Sequence, residues 1–223
     1  MNSKGGSIFL AGGGNAEDSR FLDAQFVKAL DQAKPVVYVP NAMRSRPYQS
    51  CLAWFRSVMA AHGVIAIEMW GDLKPRRAVS DIAGVYIGGG DTAKLLMEVR
   101  ESGFDAYLHE MASYGIPIYG GSAGAIILGE DIRTTPEAKH LSHSDAAFLK
   151  LVEGYSIVCH YKPEHETKTR KLSETLGRNF IAISERAGGH VTGRLIAVHG
   201  TEPIFIFGNA KVETVEPLGA ATL

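Results

Sequence analysis

An apolar run from Ile116 ends in Gly120-Gly121-Ser122-Ala123-Gly124, a G-x-S-x-G pentapeptide where a strand is expected to turn into a helix. That spacing suits a nucleophilic hydroxyl. A sharp turn lifts the serine out of the sheet, and small neighbours let backbone and substrate come close without a Cβ clash. The Ala123 amide, at the start of the following helix, then faces the same space and can donate to an oxyanion, with the helix dipole favouring negative charge there.

A seryl hydroxyl is a weak nucleophile at neutral pH, so a base must take its proton and a carboxylate must orient that base. Of the eight histidines, His160 directly follows the apolar segment Tyr155 to Cys159 and precedes Tyr161-Lys162-Pro163, which puts it at a strand end. His165 is next, within the charged run Glu164 to Lys171. His62, His109 and His140 fall in or beside helices and polar loops, where a solvated histidine is the rule. His143, His190 and His199 could act only if their loops fold over the site. Between nucleophile and base the acidic candidates are Glu130, Asp131, Glu137 and Asp145. Spacing does not choose among them, although Asp145 reads as a helix cap before Ala146 to Leu151.

The elements needed to hold these groups are legible. Ile- and Val-rich runs at Ile8–Ala11, Pro35–Val39, Val64–Glu68, Val85–Ile87 and Ile116–Tyr119 alternate with helical periods. Arg20–Leu30 places Phe21, Ala24, Val27 and Leu30 on one face, and Leu52–Ala61 and Thr92–Val99 behave similarly. This is the pattern of a buried parallel sheet with crossover helices. A helical segment is expected around Ala146–Val152. The close-spaced runs Ile181–Ile183, Leu195–Val198, Ile204–Phe207 and Val212–Val215 predict an antiparallel C-terminal extension. In an open α/β sheet, ligands lie beyond the carboxyl ends of the strands. Three glycine-rich turns fall there: Gly12-Gly13-Gly14-Asn15, Gly88-Gly89-Gly90-Asp91 and the Ser122 elbow. The Gly12 cluster lacks a dinucleotide fingerprint and the lysine of a phosphate loop, and reads as an ordinary tight turn. The Gly88–Gly90 loop reads as a second oxyanion donor.

Composition narrows the class. The 223 residues fit one large α/β domain spanning 1–223, with neither repeat nor linker. The charges, 23 Lys and Arg against 24 Asp and Glu, form no long run of one sign, which argues against a nucleic-acid partner. Cys51 and Cys159 lie far apart without metal spacing, so no metal is expected and a reducing cytoplasm fits. The first residues carry one lysine and no apolar segment of signal-peptide length, and no stretch approaches a membrane span. A cytoplasmic protein without membrane partners is expected. A homodimer is compatible with the sequence.

With these residues in place, the chain resembles the peptidase E and cyanophycinase family of serine peptidases, the aspartyl dipeptidase branch in particular. The resemblance rests on Val85-Tyr86-Ile87-Gly88-Gly89-Gly90-Asp91-Thr92, Tyr119 to Ala125, Ile132-Arg133-Thr134-Thr135 and His160-Tyr161, in that order. It implies a three-layer αβα domain like that of class I glutamine amidotransferases (flavodoxin-like), with serine replacing cysteine at the elbow. It implies Ser122 as nucleophile, His160 as base and, two residues after Thr134-Thr135, Glu137 as third member. The oxyanion hole would be the Gly90 and Ala123 amides, with Gly89 and Asp91 beside the substrate. Asp91 stands where the family usually shows asparagine, and Cys159 where proline commonly precedes the histidine. The family's arginine for an acidic side chain matches Lys168 by helical phase and Arg170 by identity. The resemblance therefore implies a cofactor-free serine peptidase releasing residues from the amino end of short peptides, with Asp-Xaa dipeptides as one candidate substrate. A cyanophycin-degrading or other hydrolase on the same scaffold, a silent small-ligand binder and a nucleotide-binding flavodoxin-like module are the alternatives.

Overall fold

A computed structural model describes residues 6–208 and 211–223; Met1 to Gly5, which enter the reading of the N-terminus, lie outside the described residues. In chain order the strands and helices are β1 (Ser7–Ala11), α1 (Ala16–Ala29), β2 (Val36–Val39), α2 (Tyr48–Ala60), β3 (Ile67–Met69), β4 (Gly84–Ile87), α3 (Thr92–Ser102), α4 (Phe104–Ser113), β5 (Ile118–Gly121) and α5 (Ala123–Leu128). There follow α6 (His143–Ala146), β6 (Tyr155–Val158), α7 (Glu166–Leu176), β7 (Asn179–Ile183), β8 (Ala187–Thr192), β9 (Leu195–Gly200), β10 (Ile204–Gly208), β11 (Lys211–Val215) and β12 (Ala220–Thr222).

The main sheet has the order β12-β9-β8-β1-β5-β4-β2-β3. Its β1, β5, β4, β2 and β3 run parallel, and β8, β9 and β12 add antiparallel pairs beyond β1. Side chains alternate faces along a strand, so each strand feeds two cores. Ile8, Leu10, Val37, Val39, Val85 and Ile87 pack on one face with Leu95, Val99, Leu108 and Met111 of α3 and α4. On the other face Phe9, Val36, Tyr38, Tyr86 and Tyr119 pack with Leu22 and Phe26 of α1 and Phe55 and Met59 of α2. Helices on both sides of a mostly parallel sheet make the α/β sandwich that the alternating pattern predicts.

The C-terminal strands do not form one extension. β6, β7, β10 and β11 form a separate four-stranded sheet, with β6 parallel to β7 and the rest antiparallel, closed by a small core of Tyr161, Phe180 and Phe207 against Leu172 and Leu176 of α7. Two local expectations also shift. The first helix starts four residues earlier than its apolar period, because Asn15 and Asp18 form a reciprocal capping box. Its buried face is Leu22 and Phe26, whereas Phe21 stays exposed beneath the Arg20 guanidinium. The helical reading of Ala146–Val152 is replaced by a single turn, α6, after which the chain runs beside α5 through bonds from Phe148 N to Glu130 O and from Leu151 N to Leu128 O. Ala146, Leu149 and Val152 are all buried, so their spacing records core contact and not a helix.

Candidate active site

Ser122 occupies the turn between β5 and α5 with φ 49° and ψ −109°, a conformation that side-chain-bearing residues rarely adopt. Bonds on both sides hold it: Ser122 N donates to Ala11 O at 3.0 Å, and Ile126 N donates to Ser122 O at 3.0 Å. The flanking glycines answer a packing demand. A Cβ on Gly120 would overlap the backbone of Gly124 and Ala125, and one on Gly124 would overlap the Ile87 carbonyl, so only glycine lets α5 seat this closely on β5 and β4.

The second sheet positions the histidine that faces Ser122. His160 follows β6 and takes φ 52°, its amide donating to Gly12 O at 2.9 Å. Its Nε2 accepts from Ser122 Oγ at 2.8 Å, and its Nδ1 donates to Glu185 Oε1 at 2.8 Å. A carboxylate can only accept, so this bond places the proton on Nδ1 and leaves Nε2 free to receive the seryl proton. Glu185 comes just after β7, the parallel neighbour of β6, so the histidine and its carboxylate leave the carboxyl ends of adjacent strands.

The carboxylate expectation is corrected by this geometry. Glu137 lies in the turn before α6 and its Oε1 accepts, at 3.4 Å, from the Thr92 amide at the start of α3. Of the other acidic candidates, Asp131 is buried against Arg133 at 2.6 Å, Glu130 accepts from the Gly154 amide, and Asp145 accepts from Ser142 Oγ in the α6 cap. None of them takes the His160 proton. Glu185 lies outside the stretch between nucleophile and base in which the acidic candidates fall, 25 residues beyond His160 in the chain. Its signal was the Ser-Glu pair closing the Ile181–Ile183 strand.

The glycine loops divide the remaining work. Gly12-Gly13-Gly14 is more than a tight turn. Gly12 O anchors His160, and Gly13, at φ 118°, lies so close beneath the imidazole that a Cβ there would overlap the ring. In the Gly88–Gly90 loop, a Cβ on Gly89 would stand 3.2 Å from Ser122 Cβ. Bonds from Gly88 N to Val39 O and from Asp91 N to Ala42 O pin the loop at both ends, and among the described residues the Gly89 and Gly90 amides between them have no acceptor. The Ala123 amide sits in the first turn of α5, where no intrahelical acceptor exists.

Asp91 is committed elsewhere. Its carboxylate caps α3 by accepting from Lys94 N at 2.8 Å and pairs with Arg44 at 2.5 Å. Burial pushes that carboxyl up, but the Lys94 amide and the Arg44 guanidinium outweigh it and hold it below its ordinary value. Cys159 lies between the Ala11 and Ser122 carbonyls, and burial pushes its thiol well up. Two cavities flank the pair: one of about 420 Å³ reaches Ser122, and one of about 500 Å³ reaches His160 and Glu185. Lys168 and Arg170 line neither; Lys168 is exposed on α7, and Arg170 pairs with Glu166 at 2.8 Å. Among the described residues no three His, Cys, Asp or Glu side chains converge as a metal set.

Known proteins share this architecture and sequence pattern. Residues 8–194 match the model of peptidase family S51. The chain belongs to that family. This S51 serine peptidase is 28% identical to peptidase E of Shewanella sp. strain W3-18-1 over 209 residues, 87% of each chain. It is 26% identical to peptidase E of Shewanella baltica strain OS185 over 209 residues, 87% of this chain and 86% of that one. The crystal structure of a peptidase from an acI-B1 Actinobacterium superposes with a TM-score of 0.78 at 18% identity, covering 100% of this chain and 99% of the other, which shows a shared fold. No helix among the described residues is long and apolar enough to cross a membrane.

Proposed function

We propose that the 223 residues act as one peptidase domain that hydrolyses short peptides from the amino end, with Ser122 as nucleophile, His160 as general base and Glu185 as the carboxylate that orients it. Ser122 Oγ attacks the carbonyl as its proton passes to His160 Nε2. The Gly90 and Ala123 amides receive the developing oxyanion. His160 then protonates the leaving amine, and water hydrolyses the acyl-serine by the same route. Each oxyanion donor is worth about 3 kcal/mol in such sites, so their placement matters nearly as much as the base. The substrate is short because the site lies at the bottom of turns from several strands and not along an open groove.

The observation that carries this reading is the unbroken relay of two 2.8 Å hydrogen bonds from hydroxyl to imidazole to carboxylate. The test is hydrolysis of an Xaa-Ala dipeptide panel by the parent, Ser122→Ala and His160→Gln. Both variants should keep their folded circular dichroism and lose several orders of magnitude in kcat. Hydrolysis by Ser122→Ala at the parent rate would refute the mechanism.

A further inference from the structure

The cavity beside Ser122 has a floor that the proposed chemistry does not use. Phe9, Tyr119, Tyr86 and Tyr38 stand in register on β1, β5, β4 and β2, forming a row of rings across one face of the sheet. Tyr86 and Tyr119 stack at 4.3 Å, and Tyr38 stacks on Phe55 of α2 at 4.4 Å. The three tyrosines line the cavity, and two of them turn their hydroxyl ends toward the glycine loops: a Cβ on Gly121 would stand 3.6 Å from Tyr86 Oη, and one on Gly88 would stand 3.3 Å from Tyr38 Oη. Tyr119 is 0% exposed, and its hydroxyl makes no well-formed hydrogen bond although Asp23 and Tyr86 are its polar neighbours. A buried hydroxyl without a partner at the bottom of a cavity calls for a ligand atom or a water.

Placement of the relay tells which part of a substrate meets this floor. His160 must protonate the leaving amine and lines the other cavity, so the leaving residue lies on its side, while Ser122 opens into the tyrosine cavity. Resting on the peptidase reading above, we infer that the tyrosine cavity takes the side chain of the residue whose carbonyl Ser122 attacks and selects large uncharged side chains, aliphatic, thioether or aromatic, over aspartate and lysine. Its volume, about 420 Å³, lies within the range of small-molecule sites. Its lining joins the tyrosines to Met43, Cys51 and Trp54, with Asn15, Ser19 and Ser45 as uncharged polar groups. The charged side chain among the lining residues is Arg46, which is exposed and so meets a carboxylate only in water. Among the described residues no carboxylate lines the cavity to receive an ammonium. An acidic or basic side chain would leave water for tyrosine rings without a buried counter-charge in the lining, whereas a methionine or phenylalanine side chain gains about 10- to 100-fold in kcat/KM over alanine from burial.

Diphenyl α-aminoalkylphosphonates bearing alanine, aspartate, lysine, methionine and phenylalanine side chains test this, because each phosphonylates a reactive serine and phosphorus takes the place of the attacked carbonyl. Labelling of Ser122 followed by intact mass, alongside hydrolysis of the matching Xaa-Ala dipeptides, should run at least about tenfold faster for methionine and phenylalanine than for the other three. Trp54→Ala and, separately, Met43→Ala should slow the two large side chains at least about tenfold more than they slow the alanine reagent. Aspartate or lysine labelling fastest, equal rates for all five, or an equal loss for all five in both variants would overturn the inference. Resistance of every dipeptide with the labelling order intact would instead defeat the peptidase reading and leave the cavity's preference standing.

Discussion

Ser122 and His160 lie 2.8 Å apart, Oγ to Nε2, although they belong to different sheets and both hold positive φ, 49° and 52°. Two strained backbones aimed at each other cost on the order of 1–3 kcal/mol each and persist only where surrounding bonds over-determine them. Here those bonds converge on β1: Ala11 O holds the Ser122 amide and Gly12 O holds the His160 amide. The end of β1 is thus the common reference for Ser122 and His160.

Glu185 sets the first prediction. Its side chain is 53% exposed and that of His160 51%, so water partly screens this hydrogen bond and its main contribution is to fix the imidazole tautomer and direction. Glu185→Gln should lower kcat by about 10- to 100-fold, well short of the roughly 10⁴-fold loss known for a buried triad carboxylate. Glu137→Gln, which removes only a 3.4 Å contact to the Thr92 amide, should leave kcat close to the parent value. Steady-state kinetics on a shared dipeptide decide between them. A larger loss in Glu137→Gln would return the third position to that residue.

Gly13 sets the second. Alanine there must adopt φ 118° and would drive its Cβ into the His160 ring. A displacement of about 1 Å in a catalytic group can cost roughly 10²-fold in rate, so Gly13→Ala should lose at least that much in kcat. Gly63→Ala is the control: φ there is 83°, with nothing within 4 Å of the added Cβ. It should show backbone strain alone, a lowered Tm with unchanged kcat. Matching kinetics in the two variants would mean that Gly13 does not position the base.

These two positions also mark where the sequence was and was not readable. Ser122 and His160 were legible because each directly follows an apolar strand, and the elbow glycines carry their own packing logic. Glu185 was not, because its partnership depends on β6 and β7 being parallel neighbours in a sheet of their own, and nothing in the short runs Tyr155–Cys159 and Ile181–Ile183 says which strand pairs with which. Gly13 carries no ligand-binding motif to mark it, because its task is to leave room for an imidazole 147 positions along the chain. β8 was hidden by Gly188 and Gly189, which take the place of side chains where Leu22 and Ile196 crowd the strand. The α/β architecture needed none of this, since alternating Ile and Val runs with helical periods report two-sided burial directly.

Asp23 sets the third prediction, and it concerns stability. The carboxyl is 1% exposed beneath the row of tyrosines, accepts from Ser19 Oγ at 2.8 Å through Oδ2, and has no partner for Oδ1. Burial raises its pKa above the ordinary 3.8, more than the nearby Tyr119 hydroxyl, the bond from Ser19 and the attraction of His62 lower it. Between 3.8 and the raised folded value the native state therefore holds a proton that the unfolded chain has released, so stability falls as pH rises through that window and stays lower above it. Asp23→Asn removes the ionisation while keeping an oxygen for Ser19 and gaining an amide that can donate to the Tyr119 hydroxyl. Its Tm at neutral pH should exceed that of the parent by about 2–4 °C, the shift expected from roughly 1 kcal/mol in a chain of this length. At about pH 3, below the unfolded carboxyl's own pKa, the advantage should shrink toward zero, because the parent carboxyl is then largely protonated in both the folded and the unfolded chain. Paired thermal melts at the two pH values provide the check, and an advantage that grows on acidification would mean that Asp23 is held ionised in the folded protein.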